Sequence, residues 1–216
     1  MGEFALEEQR EREAVVEALL PDIPFDGWSH AALAAAGTRL GLDQAELAAL
    51  FPGGMRDVVA AFSRWADRKT LEMLSDKNLE TMKVRERVAT AVRARFAVLQ
   101  PHREAVRRAL SLLALPRNAP LALRLLYDTV DALWYAAGDT ATDFNFYTKR
   151  GLLAGVYAAT TLYWLDDRSP NGEQTYAFLD RRLADVMTLP KIGTRLRENF
   201  DRLPNPFRLM RAARRR

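Results

Sequence analysis

Apolar residues recur at three- and four-residue steps along almost the whole chain, and no convincing run of strict two-residue alternation interrupts them. This spacing predicts an all-helical (all-α) protein. A first helix over 6–20 closes before Pro21, and the turn PDIPFDGW leads to Ser29, whose hydroxyl suits the N-cap of the run AALAAAGTRL. Gly41 ends that helix, Asp43 caps a short third one through Leu50, and Pro52, Gly53 and Gly54 break the chain again. A longer helix follows in which Met55, Val58, Val59, Phe62, Trp65 and Met73 share one stripe. The next is marked by Val84, Val88, Val92, Phe96 and Leu99, with Arg85, Arg87, Arg93 and Arg95 around it, and stops before Pro101. Helices over 102–115, 121–137, 143–165 and 173–189 follow, punctuated by Pro116, Pro120, Gly138 and the turn Ser169-Pro170-Asn171-Gly172. The count is nine body helices, of which 143–165 is expected to be the most buried.

That expectation rests on LLAGVYAATTLYWL, residues 152–165, the longest uncharged apolar run. Its fourteen residues fall short of the roughly 20 that a helix needs to cross hydrocarbon. The N-terminal stretch MGEFALEEQRERE is charged where a secretory signal would be apolar. The chain thus reads as cytoplasmic and peripheral on a membrane, and its preference for Arg (27 of 32 basic residues) with abundant Ala points to a GC-rich bacterial genome.

Charge alters the picture at one end. Residues 191–216 carry nine basic side chains against Glu198 and Asp201, a net of +7, which leaves −3 for residues 1–190 out of a total of +4. In KIGTRLRENFDRL, Ile192, Leu196, Phe200 and Leu203 recur at helical steps with Arg195, Arg197 and Arg202 elsewhere, and NPFRLMRAARRR repeats the theme from Phe207. Such an amphipathic tail can sink its apolar side among acyl chains and leave arginines at anionic head groups.

Catalytic chemistry is poorly provided for. There is no Cys, and the only imidazoles, His30 and His102, have Gly27 and Leu99 three positions earlier. Neither forms the Glu-x-x-His motif that a carboxylate-bridged di-iron helix bundle requires. No phosphate-binding loop, dinucleotide fingerprint or nucleophile elbow is present, so no cofactor and no metal are expected.

The first three helices have the lengths and breaks of a helix-turn-helix, and the long connector after them resembles the N-terminal half of TetR-type regulators. A major-groove helix needs cations and small polar groups. Here the second motif helix offers Asp43, Gln44 and Glu46, with no basic residue from Leu40 to Met55. This predicts a degenerate motif without nucleic-acid binding. The segment 131–150, DALWYAAGDTATDFNFYTKR, packs five aromatics and three acids ahead of Lys149 and Arg150, the composition of a protein-docking hot spot. Gly151 and Gly155, four apart, permit close approach of another helix, and the last two body helices are expected to help build a homodimer.

Three blocks carry a more specific resemblance: PFDGWS at 24–29, PHREAVRRALSLLALP at 101–116 and WYAAGDTATDFNFYTKRGLLAGVY at 134–157. Through them the chain, over roughly 15–187, resembles the ubiquinone-biosynthesis accessory family often called Coq-nine. The resemblance implies a TetR-like fold that has lost DNA binding and a C-terminal half enclosing a cavity for isoprenoid lipid or quinone precursors. It also implies docking of the di-iron hydroxylase of that pathway on a patch including Asp143, Phe146 and Tyr147. Phe146 stands where many relatives have Trp, which keeps an aromatic and loses a ring N–H.

The expected organisation is a degenerate helix-turn-helix bundle over 1–53, a lipid-binding and dimerisation domain over 54–190 and a basic membrane-binding tail over 191–216. Leu152, Val156, Tyr157 and Tyr163 are the expected cavity residues. Trp134, Asp143, Phe146, Tyr147, Lys149 and Arg150 are expected at the hydroxylase, and Ile192, Arg195, Leu196, Phe200, Arg202, Leu203 and Phe207 at the membrane. The function expected is non-catalytic: to hold a prenyl quinone intermediate and present it at a bacterial inner membrane. The alternative is a TetR-type regulator with a hydrophobic effector.

Overall fold

The computed structural model describes residues 3–138 and 144–186; the tail expected to bind membrane, Ile192 to Phe207 included, lies outside them, as does Asp143. The described residues contain no strand. The helices are α1 (Glu3–Leu19), α2 (Ile23–Asp26), α3 (His30–Leu40), α4 (Gln44–Leu50), α5 (Met55–Ser75), α6 (Val84–Leu99), α7 (Arg103–Leu113), α8 (Ala119–Ala136) and α9 (Phe144–Asp166), with α10 over 173–186. The expected caps are in place. The Ser29 hydroxyl accepts the Ala32 N–H, Gly41 closes α3 at a φ of 74°, and Asp43 with Glu46 forms a full capping box on α4.

Three departures from the sequence reading have local causes. The turn after α1 contains the one-turn helix α2, nucleated by Pro24 in its first turn. On α5 the buried stripe runs Phe62, Ala66, Thr70 and Leu74, which leaves Met73 on the exposed flank. On α6, Val84 is exposed at the helix start whereas Arg95 is buried within the stripe. Among the described side chains α6, rather than α9, is the most enclosed: Val88, Ala89, Ala91, Val92, Ala94, Arg95, Phe96 and Leu99 are all buried.

One contiguous apolar cluster runs from Val15 on α1 to Leu183 on α10. The long connector α5 lies against α1, α6 and α8, and α8 pairs with α9. The blocks PFDGWS and PHREAVRRAL meet in space: Trp28 Nε1 donates to the Ala105 carbonyl at 3.0 Å and Arg108 to the Pro24 carbonyl at 2.8 Å. Gly27 has a φ of 66°, a backbone conformation that strains any side chain, and the guanidinium end of Arg108 lies 2.9 Å from where a Cβ would stand.

The corner between α9 and α10 is organised by one carboxylate. Asp167 accepts from Ser169 N (2.7 Å), Thr175 N (2.9 Å) and the Thr175 hydroxyl (2.5 Å). Burial alone would raise its pKa, but these donors hold it well below the ordinary carboxylate range. A lowered folded-state pKa gives stability that is complete above the unfolded value, about pH 4, and is lost as pH falls through the folded value. We therefore expect Asp167→Asn to cost about 1–3 kcal/mol at neutral pH. The difference between Asn variant and parent should narrow in urea titrations below about pH 3; a pH-independent difference would mean that the charge contributes nothing.

Candidate functional site

Helices α5 to α9 enclose a chamber of about 280 Å³. Its wall is almost entirely apolar: Val59 and Phe62 from α5, Leu99 from α6, Val106, Ala109 and Leu110 from α7, Leu125 and Leu126 from α8, and Ala158 on α9. Leu162, 63% exposed, stands at its mouth. The α7 wall is positioned by arginines on its outer side. Arg107 donates to the Leu165 carbonyl at 2.5 Å and Arg103 to the Asp167 carbonyl at 2.6 Å, covering the C-terminal end of α9. Arg103 also lies 4.8 Å above the Trp164 ring.

Polar atoms converge on one stretch of the buried wall. Arg95 Nη1 pairs with Asp67 at 2.9 Å, both terminal nitrogens donate to the Ser63 carbonyl at 3.2 Å, and Nε approaches the Tyr157 hydroxyl at 3.5 Å. Tyr157 is held by stacking on Phe96, with centroids 5.9 Å apart and planes 20° apart. Burial pushes the Asp67 carboxyl above its ordinary value, and the Arg95 charge and a hydrogen bond with Thr129 pull it part of the way back. Thr129 and Thr161 add hydroxyls to the same wall. Nothing in the composition of this segment flagged Arg95. The signal lay in register, since positions 88, 92, 95 and 99 share one helical face.

Of the four residues expected on the cavity wall, Tyr157 is there. Val156 is 4% exposed and belongs to the core, Leu152 is half-buried away from the chamber, and Tyr163 stacks on Phe178 at 4.8 Å, joining α9 to α10. The chamber face of α9 is instead Tyr157, Ala158, Thr161 and Leu162, one position on from Val156.

The expected docking patch divides. Trp134 is buried, donates through Nε1 to the Lys149 carbonyl at 3.2 Å and has the Lys149 ammonium 5.8 Å above its ring. Arg150, 5% exposed, pairs with Asp131 at 2.5 Å. These residues fasten α8 to α9 rather than presenting a free surface. Tyr135, at 73% exposure, is the aromatic that this end of α8 offers to solvent. Phe146 and Tyr147 lie in the helical backbone of α9, their side chains outside the described ones. Gly151 and Gly155 are exposed, and a Cβ at either would meet nothing within 4 Å, so no helix among the described residues uses their smallness.

The helix-turn-helix geometry is preserved by close contact: a Cβ at Gly37 would lie 2.5 Å from Leu47 Cδ1. The outward face of α4 is Gln44, Ala45, Glu46, Ala48 and Ala49. The N-terminal amides that such a helix could offer to phosphate are already taken by Asp43, which accepts from Ala45 N and Glu46 N at 2.7 and 2.9 Å. Arg39, in the last turn of α3, is paired with Asp22. His102 packs edge-on against Trp65, and burial lowers its pKa. The described residues hold no cluster of His, Asp and Glu suited to a metal ion, and none of their helices is long and apolar enough to cross a membrane.

Fold and chamber together define an all-helical, TetR-like protein with a largely apolar pocket among α5 to α9. The fold is shared with a TetR transcriptional regulator from Nitrosomonas europaea, with a TM-score of 0.67 and 20% identity over 82% of this chain and 98% of that one. The chain matches the COQ9 family over residues 119–190. It is 35% identical over 189 residues to the mitochondrial ubiquinone biosynthesis protein COQ9 of Rattus norvegicus, 34% to that of Homo sapiens and 31% over 182 residues to that of Drosophila melanogaster. These alignments cover 84%, 84% and 82% of this chain and 60%, 59% and 56% of the relatives, so the chain spans somewhat over half of their length.

Proposed function

We propose that this protein is a non-catalytic accessory protein of ubiquinone biosynthesis, which holds an isoprenoid quinone intermediate between its helices and presents it to a hydroxylase at a membrane. The observation that carries the reading is the apolar chamber between α5 and α9. A prenyl chain gains about 25 cal/mol for each Å² of apolar surface removed from water, which suffices to hold it in such a wall. At about 280 Å³ the chamber is nearly twice the ~150 Å³ of a cavity that takes up benzene. It accommodates a ring with a short prenyl segment, and the remainder of a longer chain leaves past Leu162. Exposed Tyr135 is one proposed hydroxylase contact, and Asp143, Phe146 and Tyr147 are the others proposed from the sequence. The basic tail attaches to an anionic membrane, on the cytoplasmic side of a bacterial inner membrane, and a homodimer forms through α9 and α10.

A TetR-type regulator with a hydrophobic effector is the competing function, and the acidic, already capped start of α4 weighs against it. Mass spectrometry of an organic extract from freshly purified protein separates the two. The expected result is a prenylated lipid together with no shift on random duplex DNA; a lipid-free extract with a salt-dependent shift would replace this function by the regulator.

A further inference from the structure

An apolar slot for hydrocarbon has no use for a guanidinium. Taking an ion pair out of water costs several kcal/mol per ion before their attraction is counted, and a well-packed apolar pair of similar volume is often no less stable. Yet Arg95, 3% exposed, stands in the chamber wall with Asp67 behind it. Beside it the Tyr157 hydroxyl accepts from Arg95 Nε, while its own O–H has no acceptor among the described residues. The hydroxyls of Thr129 and Thr161 and the backbone of Ser63 complete a polar stretch in the same wall. Ligand pockets show this distribution: a few placed polar groups in a largely apolar surface fix which end of the ligand enters.

We propose that Arg95 and Tyr157 form a head-group site for an oxygen-bearing ring, so that the chamber takes an amphiphile ring first, with its hydrocarbon directed toward Leu162. The site deepens the lipid-binding function and rests on it. Tyr157 donates its free proton to a ring oxygen, and the Arg95 charge, kept in place by Asp67 and the Ser63 carbonyl, favours electron-rich oxygen there. A phenol or quinone meets this need; an alkane or a bare polyprenyl chain does not. The polar stretch thus sets ligand class, and the apolar wall supplies most of the affinity.

The test uses geranylphenol and geranylbenzene, which differ in a single hydroxyl, with the full chain and its Tyr157→Phe variant. That variant keeps the ring on Phe96 and removes the hydroxyl, which is both the donor to the ligand and the acceptor of Arg95 Nε. The ratio of the two affinities, phenol over benzene, is expected to fall by about 5- to 10-fold in Tyr157→Phe, with geranylbenzene bound as tightly as before. Arg95→Met, which retains an unbranched stem, should lower the ratio at least as far; circular dichroism establishes that it has folded. An unchanged ratio in Tyr157→Phe, with both compounds binding, would overturn the head-group site and leave the lipid chamber standing. Binding of neither compound to the parent protein would overturn the chamber as a lipid site, and the head-group site with it.

Discussion

Truncating Trp164 to alanine is expected to lower the unfolding free energy by about 3–5 kcal/mol, a large fraction of the 5–15 kcal/mol available to an ordinary domain. Trp164 is 1% exposed on the inner face of α9. Its ring lies tilted on Phe96 at 5.3 Å, and the Arg103 guanidinium covers it at 4.8 Å. Alanine would leave a cavity where α6, α7 and α9 converge, and the neighbours cannot collapse into it because Phe96 is itself held by Tyr157. The indole N–H contributes less. It donates at 2.9 Å to Gln100, an exposed side chain that water can satisfy once the donor is gone. Trp164→Phe should accordingly cost about half as much or less. Urea titration followed by circular dichroism measures both, and the alanine variant should also melt roughly 10 °C lower. A loss below about 1 kcal/mol would show that α9 is not part of the cooperative core.

The same residues show what the sequence makes legible and what it withholds. Helix positions were readable because burial repeats at 3.6 residues, and helix ends because Ser29, Gly41 and Asp43 satisfy terminal backbone groups locally. The acidic, cation-free face of α4 was readable for a similar reason: it is a matter of a few consecutive side chains. The chamber was not readable, because its wall is assembled from positions 59 to 162 on five helices and depends on how those helices are spaced. A shift of one residue, from Val156 to Tyr157, separates core from chamber on α9.

The aromatic and charged segment misled for another reason. Composition alone does not distinguish an exposed hot spot from a buried tie between helices, since both use Trp, Arg and Asp. Topology would have distinguished them: in an antiparallel pair, residues equidistant from the turn face each other, and Asp131 with Arg150 and Trp134 with Lys149 are such partners. Arg95 was missed because a charge is ordinarily placed outside the helix stripe. Its register contradicted that rule, and departures of this kind are where function concentrates.

The most direct consequence of the chamber concerns a side chain that fills it. Ala158 lies on the α9 wall and is only half-buried, with empty space in front of it. In Ala158→Trp the indole would occupy volume that the ligand otherwise takes. Each CH₂ kept from burial costs about 0.8 kcal/mol, so excluding one isoprene unit removes about 3–4 kcal/mol of binding, a loss of more than 100-fold. The fold should not suffer equally. Large side chains introduced into close-packed cores cost about 1–3 kcal/mol, whereas filling a void is neutral or stabilising by up to about 2 kcal/mol. The expected signature is therefore an opposition: retained or raised thermal stability without ligand, and loss of prenyl lipid from the organic extract. Added geranylphenol should raise the melting temperature of the parent and leave that of Ala158→Trp unchanged, because only a ligand that binds the native state shifts unfolding. Leu123→Trp, at an α8 position 68% exposed, provides the control for a bulky apolar residue outside the chamber. If Ala158→Trp carries as much lipid as the parent and the Leu123→Trp control, the hydrocarbon is held elsewhere on the molecule and the chamber between α5 and α9 is not its site.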